Sequence, residues 1–497
     1  MKDYLALSCA SRVYEVARQT PAQFCPGLSK AVGNLVYVKR EDLQPQHSFK
    51  VRGAYNKMAS LPKPSAGVVC ASAGNHAQGV ALAAKRLGIA AYVVMPETTP
   101  PIKTLAVRAL GAETLLFGET YDQAEGKARS LAQEKRLDFI HPYDDPLVIA
   151  GQGTIGLELL RDLPQMQALF IPVGGGGLAA GVSAVIKAVR PEVKIIGVEP
   201  EDAQAMALSL AAGERVRLKE VGLFADGVAV RQVGEETFRI CQQTLDGMEL
   251  VDGDAICAAI KDIFDDTRAV LEPAGALALA GLKQHARKTG EKGKQWAAIA
   301  SGANLNFDRL RHVAERAELG EGKEAIFAVT IPEQPGSFRA LARLLGGRVI
   351  TEFNYRWSSL DAAHVFLGVA VQDPEDAFLL LKHLRQSGLL AHDLSANEAA
   401  KTHLRHLVGG KSPVAEEVIY RFEFPERPGA LLRFLDTLGE RFNITLFHYR
   451  NHGADFGRVL AGFELEEKHE LESHLSKLGY PFWDETGNEA VRFFLRG

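Results

Sequence analysis

The stretch "GVVCASAGNHAQGVALAAKRLG", residues 67 to 88, contains a strand, a turn and a helix in one short run. Its opening "GVVCAS" is apolar and β-branched. Val80, Ala81, Ala84 and Leu87 then recur on one helical face, with Gly88 where a C-terminal cap belongs. Outward from it, "IAAYVVMP", "AETLLF", "ALFIPV" (168–173), "VKIIGVE" (193–199) and "QWAAIAS" (295–301) repeat the strand signal with helical patterns between them. Such alternation from about residue 65 to 310 predicts an α/β fold whose parallel sheet is covered on both faces.

After about residue 320 the rhythm becomes an internal repeat. "AVTIPEQPGSFRALARLLGG" (328–347) aligns with "RFEFPERPGALLRFLDTLGE" (421–440), placing Pro335-Gly336 on Pro428-Gly429. "FNYRWSS" then falls on "FHYRNHG", "VFLGVAV" on "VLAGFEL", and "NEA" recurs at 397 and 488. Each copy reads strand, Pro-Gly turn, helix, strand, strand, helix, strand, which is a ferredoxin-like α+β unit. Leu431, Leu435 and Leu438 share one face of the second copy's helix and are read as core.

The chain's 497 residues exceed what one core serves, so several domains are expected. With 57 basic and 61 acidic residues and a net charge of -4, it offers no broad attraction to nucleic acid or anionic lipid. Five scattered cysteines with no paired spacing argue for reduced thiols and against structural zinc, so no metal is expected. No stretch is long and apolar enough to span a bilayer, and Asp3 and Arg12 flank the short apolar start in a way that does not suit an export signal.

Three segments carry candidate chemistry. In "SAGNHAQG" (72–79), the amides of Ala73, Gly74, Asn75 and His76 lie at a helix N-terminus, a place that favours a carboxylate. Taken alone, it is equally an ordinary strand-to-helix turn. "GGGGLAAG" (174–181) follows a strand and opens a helix, so the amides of Gly174, Gly175, Gly176 and Gly177 can wrap a phosphate. Gly174, Gly176 and Ala179 also fit a permissive dinucleotide fingerprint, with Glu199 near the place of a ribose-binding acid. Ser301 ends another strand at the sheet's carboxyl edge. Lys50 sits in "QPQHSFKVRGA" between Phe49 and a backbone-permissive Gly53, an unusual setting for a solvated charge. A phosphate cradle, a carboxylate-binding loop and a lysine able to form a Schiff base together point to a pyridoxal-phosphate enzyme acting on an amino acid. A dinucleotide enzyme needs neither Lys50 nor the Asn75 loop.

With these residues in view, the sequence resembles the biosynthetic threonine deaminases (ammonia-lyases or dehydratases), which are fold-type II pyridoxal-phosphate enzymes related to the tryptophan synthase β-subunit. The motifs that carry the likeness are "VKREDLQPQHSFKVRGAYNKM", "ASAGNHAQGVA", "HPYDDPLVIAGQGT", "PVGGGGLAAG", "GLFADGVAV", "EPAGALALAG" and "SGANLNF", and the repeats extend it nearly to Gly497. The resemblance implies a catalytic region over 1–320 in two subdomains and ACT-like regulatory domains over 321–412 and 413–497. It makes Lys50 the Schiff-base lysine and the base for the Cα proton, and Gly174 to Gly177 the phosphate loop. Asn75 would bond the cofactor's phenolic oxygen, Ser301 would face its ring nitrogen and Phe49 would pack on the ring. Ser72 and the amides of residues 73 to 76 would hold the substrate carboxylate.

The implied reaction converts L-threonine, and to some extent L-serine, into a 2-oxo acid and ammonia, the first committed step of isoleucine synthesis. L-isoleucine would inhibit and L-valine would oppose it, with Tyr355 and Tyr449 as effector contacts, in a cytoplasmic homotetramer. Two rivals are a serine dehydratase or racemase, whose relatives usually lack the double tail, and a silent amino-acid sensor, at odds with the intact Lys50, Asn75, glycine loop and Ser301.

Overall fold

The computed structural model describes residues 3–62, 66–97, 99, 101–118, 120–222, 224–307, 309–356, 362–397, 400–401, 405, 412, 414, 416–425, 429–439, 441–450, 456–464, 468–488, 491 and 495. Of the matched repeat positions, 426–428 (Pro428 among them), 440, 357–359, 451–453, 465, 398–399 and 489–490 lie outside the described residues. The chain divides into two compact units, residues 1–320 and 321–497. Among the described residues no helix is long and apolar enough to cross a membrane, and no group of three or more His, Cys, Asp or Glu is placed to hold a metal ion.

The first unit contains two sheets. The smaller is fully parallel, in the order Glu113–Leu116, Ala91–Met95, Val68–Ala71, Asp138–Phe139. The larger has six strands in the order Ala22–Phe24, Leu35–Arg40, Gln295–Ala300, Ala168–Pro172, Lys194–Pro200, Gly247–Val251, all parallel except the short first one. Every residue of Ala168–Pro172 is buried, as a strand with helices on both faces requires. Removing each large apolar side chain of that strand from water is worth roughly 1.5 to 3 kcal/mol. The alternation beginning near residue 65 misses Leu35–Arg40, which pairs with the central strand Gln295–Ala300 along its whole length. That pairing places the segment just before Lys50 beside the one leading to Ser301.

Gly53, read from the sequence as backbone-permissive, is required for close packing. It lies in the helix Lys50–Ala59, where an added Cβ would come within 2.7 Å of the Val148 carbonyl oxygen and 2.4 Å of the Gln152 side chain. Gly151 on the facing helix Pro146–Asp162 is held as closely: an added Cβ there would lie 2.8 Å from the Gly53 Cα. The two glycines let these helices pack nearly backbone to backbone. Arg52 pins the same helix from its buried face, with Nε 2.8 Å from Glu41 and Nη1 2.6 Å from Glu158.

The second unit is one eight-stranded antiparallel sheet, in the order Leu390–Asp393, Glu324–Pro332, Ala362–Ala370, Ile350–Arg356, Asn443–Arg450, Phe456–Glu464, Glu417–Pro425, Phe482–Asp484. The repeats join through equivalent strands, with Phe353 opposite Tyr449 and Tyr355 opposite Phe447. The symmetry extends to detail. Gly368 faces Thr351, whose hydroxyl donates to Glu324, while Gly462 faces Thr445, whose hydroxyl donates to Glu417. Leu435 and Leu438 are buried in the shared core, and Leu431 packs against it.

Candidate active site

The site is built where the strands of the larger sheet end. After Gln295–Ala300 the chain doubles against the segment before Lys50: Phe49 N–H donates to the Ser301 carbonyl (3.2 Å) and Ala303 N–H to the His47 carbonyl (2.9 Å). Lys50 thereby starts its helix at a fixed point of the sheet edge. Its ammonium lies 5.3 Å from the centre of the Phe49 ring and donates to the Pro142 carbonyl at 3.0 Å. Burial pulls the Lys50 pKa down to about 8, against the attraction of Glu272.

Tyr143, next to that carbonyl, joins Lys50 to the glycine loop. An added Cβ at Gly175 would come within 2.3 Å of the Tyr143 ring, and one at Gly177 within 2.9 Å of its backbone. An added Cβ at Gly174 would come within 2.9 Å of the Val228 Cα, and Gly176 takes a φ of 93°, which no other residue type adopts readily. The loop therefore needs glycine four times over for reasons of space and dihedral angle, and the helix Gly177–Val189 begins at its end. Its backbone is tied down by Thr237, whose hydroxyl donates to the Gly175 carbonyl at 2.7 Å.

The Asn75 loop reaches the same place. Gly79, one turn into the helix Asn75–Leu87, lies where an added Cβ would approach the Lys50 carbonyl carbon to 3.2 Å. At Gly74 a Cβ would meet nothing within 4 Å, so that side of the loop is open. The Gly74 amide donates to the Ser72 hydroxyl at 3.1 Å, turned into its own loop, so it is not aimed at a ligand in this structure. The His76 ring is buried with Nε2 2.9 Å from the Ile140 carbonyl. Burial, with Lys50 nearby, pushes its pKa down to about 3, so it stays neutral at ordinary pH.

Ser301 is buried, with Oγ donating to the Ala274 carbonyl at 3.1 Å. A hydroxyl has one proton to give, so donating it to a ligand requires a turn away from Ala274. Glu199 decides against the dinucleotide reading: both its oxygens are taken by the amides of Met206 and Ala207, each at 2.8 Å, capping the helix Ala205–Ala212. Burial raises its pKa to about 8.

Three residues of the site went unnoticed in the sequence: Tyr143, Glu272 and Asn304. Each lies inside a motif quoted above. Asp144 and Asp145 beside Tyr143 look more chemical, yet they cap helices through the amides of residues 235–237 and 147–148. The signal for Glu272 was a carboxylate directly before Pro273 at a helix start, which reads as a cap; its side chain makes no cap bond and turns to Asn75 instead.

Residues 13–302 match the model of the pyridoxal-phosphate dependent enzyme family, and residues 315–404 and 408–495 each match the C-terminal regulatory domain of threonine dehydratase. The L-threonine dehydratase biosynthetic IlvA of Burkholderia multivorans is 53% identical over 502 residues, covering 99% of both chains. The Escherichia coli counterpart is 52% identical over 500 residues, covering 100% of this chain and 97% of that one.

This chain belongs to the biosynthetic threonine dehydratases. The chloroplastic threonine dehydratase of Arabidopsis thaliana is 52% identical over 97% of this chain and 82% of its own. Among solved structures, the processed threonine deaminase isoform 2 of Solanum lycopersicum superimposes with a TM-score of 0.62 at 52% identity, over 63% of this chain and 92% of that one. Maize serine racemase does so with 0.60 at 31% identity, over 63% and 96%. The residues of this dehydratase suit pyridoxal phosphate. A loop that any Cβ would block offers its amides to a phosphate, and a lysine of lowered pKa stands one segment away.

Proposed function

We propose that this threonine dehydratase converts L-threonine to 2-oxobutanoate and ammonia, with L-serine as a second substrate, and that L-isoleucine inhibits and L-valine relieves it through the repeats. The observation that carries the catalytic half is the Pro142-Tyr143 segment, which takes the Lys50 ammonium on one residue and covers the glycine loop with the next.

Pyridoxal phosphate, when bound, supplies the aldehyde and electron-withdrawing ring that loosen an amino acid's Cα proton. Lys50 would hold the cofactor covalently and, once released from it, would be an amine with a pKa of about 8, neutral in useful part near neutrality and able to take that proton. The amides of Gly174 to Gly177 would hold the phosphate at a helix N-terminus. Asn75 would donate to the phenolic oxygen, Ser301 would serve the ring nitrogen and Phe49 would pack against the ring. The Ser301 hydroxyl would bring no formal charge to that nitrogen, an environment that favours loss of the β-hydroxyl over storage of charge on the ring. Ser72 with the amides of residues 73 to 76 would receive the substrate carboxylate on the open side of Gly74, the Gly74 amide joining only once it leaves the Ser72 hydroxyl.

Two clefts in the second unit support the regulatory half. One lies between the Pro335-Gly336 turn and the end of the helix Ala430–Leu438, with Glu333, Phe338 and Asn443 on its walls. The other is its counterpart under exchange of the repeats, between Gly429 and the end of the helix Ser337–Leu344, with Leu431, Arg348 and Tyr449 on its walls. Their volumes, open mouths included, are about 430 and 530 Å³, ample for a branched-chain amino acid. Tyr449 lines its cleft directly. Tyr355 is buried behind the other, its hydroxyl 2.5 Å from Glu333 and its ring edge-on to Phe338 at 4.8 Å. Burial raises the pKa of Glu333, while the Tyr355 bond opposes it.

We place the repeat boundary between 412 and 413, ahead of the strand Glu417–Pro425, with the catalytic region ending at 320. A cytoplasmic homotetramer completes this reading, closed symmetry being the usual state of such oligomers. The deciding experiment is the rate of 2-oxo acid release from L-threonine and from L-serine, with and without L-isoleucine and L-valine. Turnover of threonine that isoleucine suppresses and valine restores supports both halves; no turnover with cofactor bound ends the catalytic reading.

A further inference from the structure

Behind Asn75 runs a chain of hydrogen bonds whose direction is set from a backbone carbonyl. The Gln46 carbonyl can only accept, so the Asn304 atom 2.9 Å from it is Nδ2. The second hydrogen of that nitrogen goes to Asn75 Oδ1. This leaves Asn75 Nδ2 facing the Glu272 carboxyl, 2.6 Å from Oε1. One N–H of the Asn75 amide is thus committed to Glu272, and the other is the donor left for a ligand.

Glu272 is buried, in a space kept clear by glycine. A Cβ at Gly302 would come within 2.4 Å of Oε1. Burial, with Asp226 adding to it, raises its pKa to about 7, while Asn75, Lys103 and Arg309 oppose the shift. Its charge is felt at Lys50. Around Lys50, His76 and His141 are both held below the ordinary histidine range by burial, so neither competes for the proton near neutrality.

We propose that Glu272 is a positioning residue for the cofactor: it holds the Asn75 amide with its free N–H turned to the ring, and its carboxylate stabilises the protonated form of the nitrogen that Lys50 contributes. This rests on the reading that Lys50 and Asn75 hold pyridoxal phosphate. E272Q keeps an acceptor for Asn75 and removes the charge, whereas E272A and N304A release the amide itself.

The test titrates the visible absorbance band of the bound cofactor against pH and measures cofactor affinity for the apo-protein, both apart from turnover. E272Q is expected to bind cofactor as the parent does while its absorbance midpoint falls by about one pH unit, a tenfold loss in proton affinity. E272A and N304A are expected to raise the cofactor dissociation constant about tenfold, the cost of one lost hydrogen bond to a charged group. An unchanged midpoint in E272Q overturns the proposal, as does cofactor loss by E272Q matching that of E272A, which would make Glu272 a mere prop. Wild-type cofactor affinity in E272A and N304A also overturns it. If N75A too binds cofactor like the parent, the fault lies in the role given to Asn75 and not in the link to Glu272.

Discussion

The catalytic unit makes one site from segments far apart in the chain, around residues 50, 75, 143, 175, 272 and 301, each used once. The regulatory unit makes one cleft twice, from equivalent segments of two repeats. In the first, polar groups are drawn deep into the structure and shifted far from their ordinary pKa values, as with Lys50, Glu272 and Glu199. In the second, the cleft holding Tyr449 has mainly apolar walls with Arg348 among them, while the one holding Phe338 mixes apolar side chains with Glu333, Arg339 and Asn443. Chemistry at Cα requires buried, unevenly placed charge, whereas a cleft that only binds needs shape and a few polar contacts.

The sharpest break between the units is expected from K50A, which should cut 2-oxobutanoate release at least about a thousandfold while isoleucine still binds, as calorimetry would register. Retained turnover would mean that the catalytic unit does not depend on a single amine. R52A, two residues away but off the chemistry, should act through the fold. It leaves Glu41 buried without its cationic partner and Glu158 with Lys39 alone, and should cost about 3 to 5 kcal/mol, read from the denaturation midpoint. In the regulatory unit, Y449A should raise the isoleucine concentration for half inhibition roughly 5- to 150-fold. An unaltered response would move the effector away from that cleft.

The most gradual effect concerns pH. Because the folded-state pKa of Glu199 is about 8, above its ordinary value, its contribution to stability is complete below the unfolded pKa and is lost as pH rises toward 8. The stability of the parent minus that of E199Q should therefore fall between pH 5 and 8, by up to about 1.4 kcal/mol per unit. A flat difference would show that Glu199 is ionised throughout in the folded chain.

Periodicity was enough to read parallel strands and the repeats, because both are written in alternation over many residues, but it predicted one parallel sheet where the strands divide between two, since which strands pair is not written in alternation. Lys50 and the glycine loop were legible because chemistry and sterics demand one residue type there. Glu272 and Asn304 were not, since their meaning lies in a contact across about 200 residues or more of chain, Asn75 to Glu272 and Asn75 to Asn304. The strand Leu35–Arg40 escaped because its apolar run is short and ends in the charged "KRED". The packing role of Gly53 was hidden because its partner Gly151 is invisible without the helix that carries it.

The exchange of parts between the repeats carries an evolutionary consequence. Each cleft takes its turn from one copy and its helix end from the other, across the central pair of strands. Neither copy can be discarded without dismantling both clefts, so each copy can drift only as far as the other's half of two clefts allows.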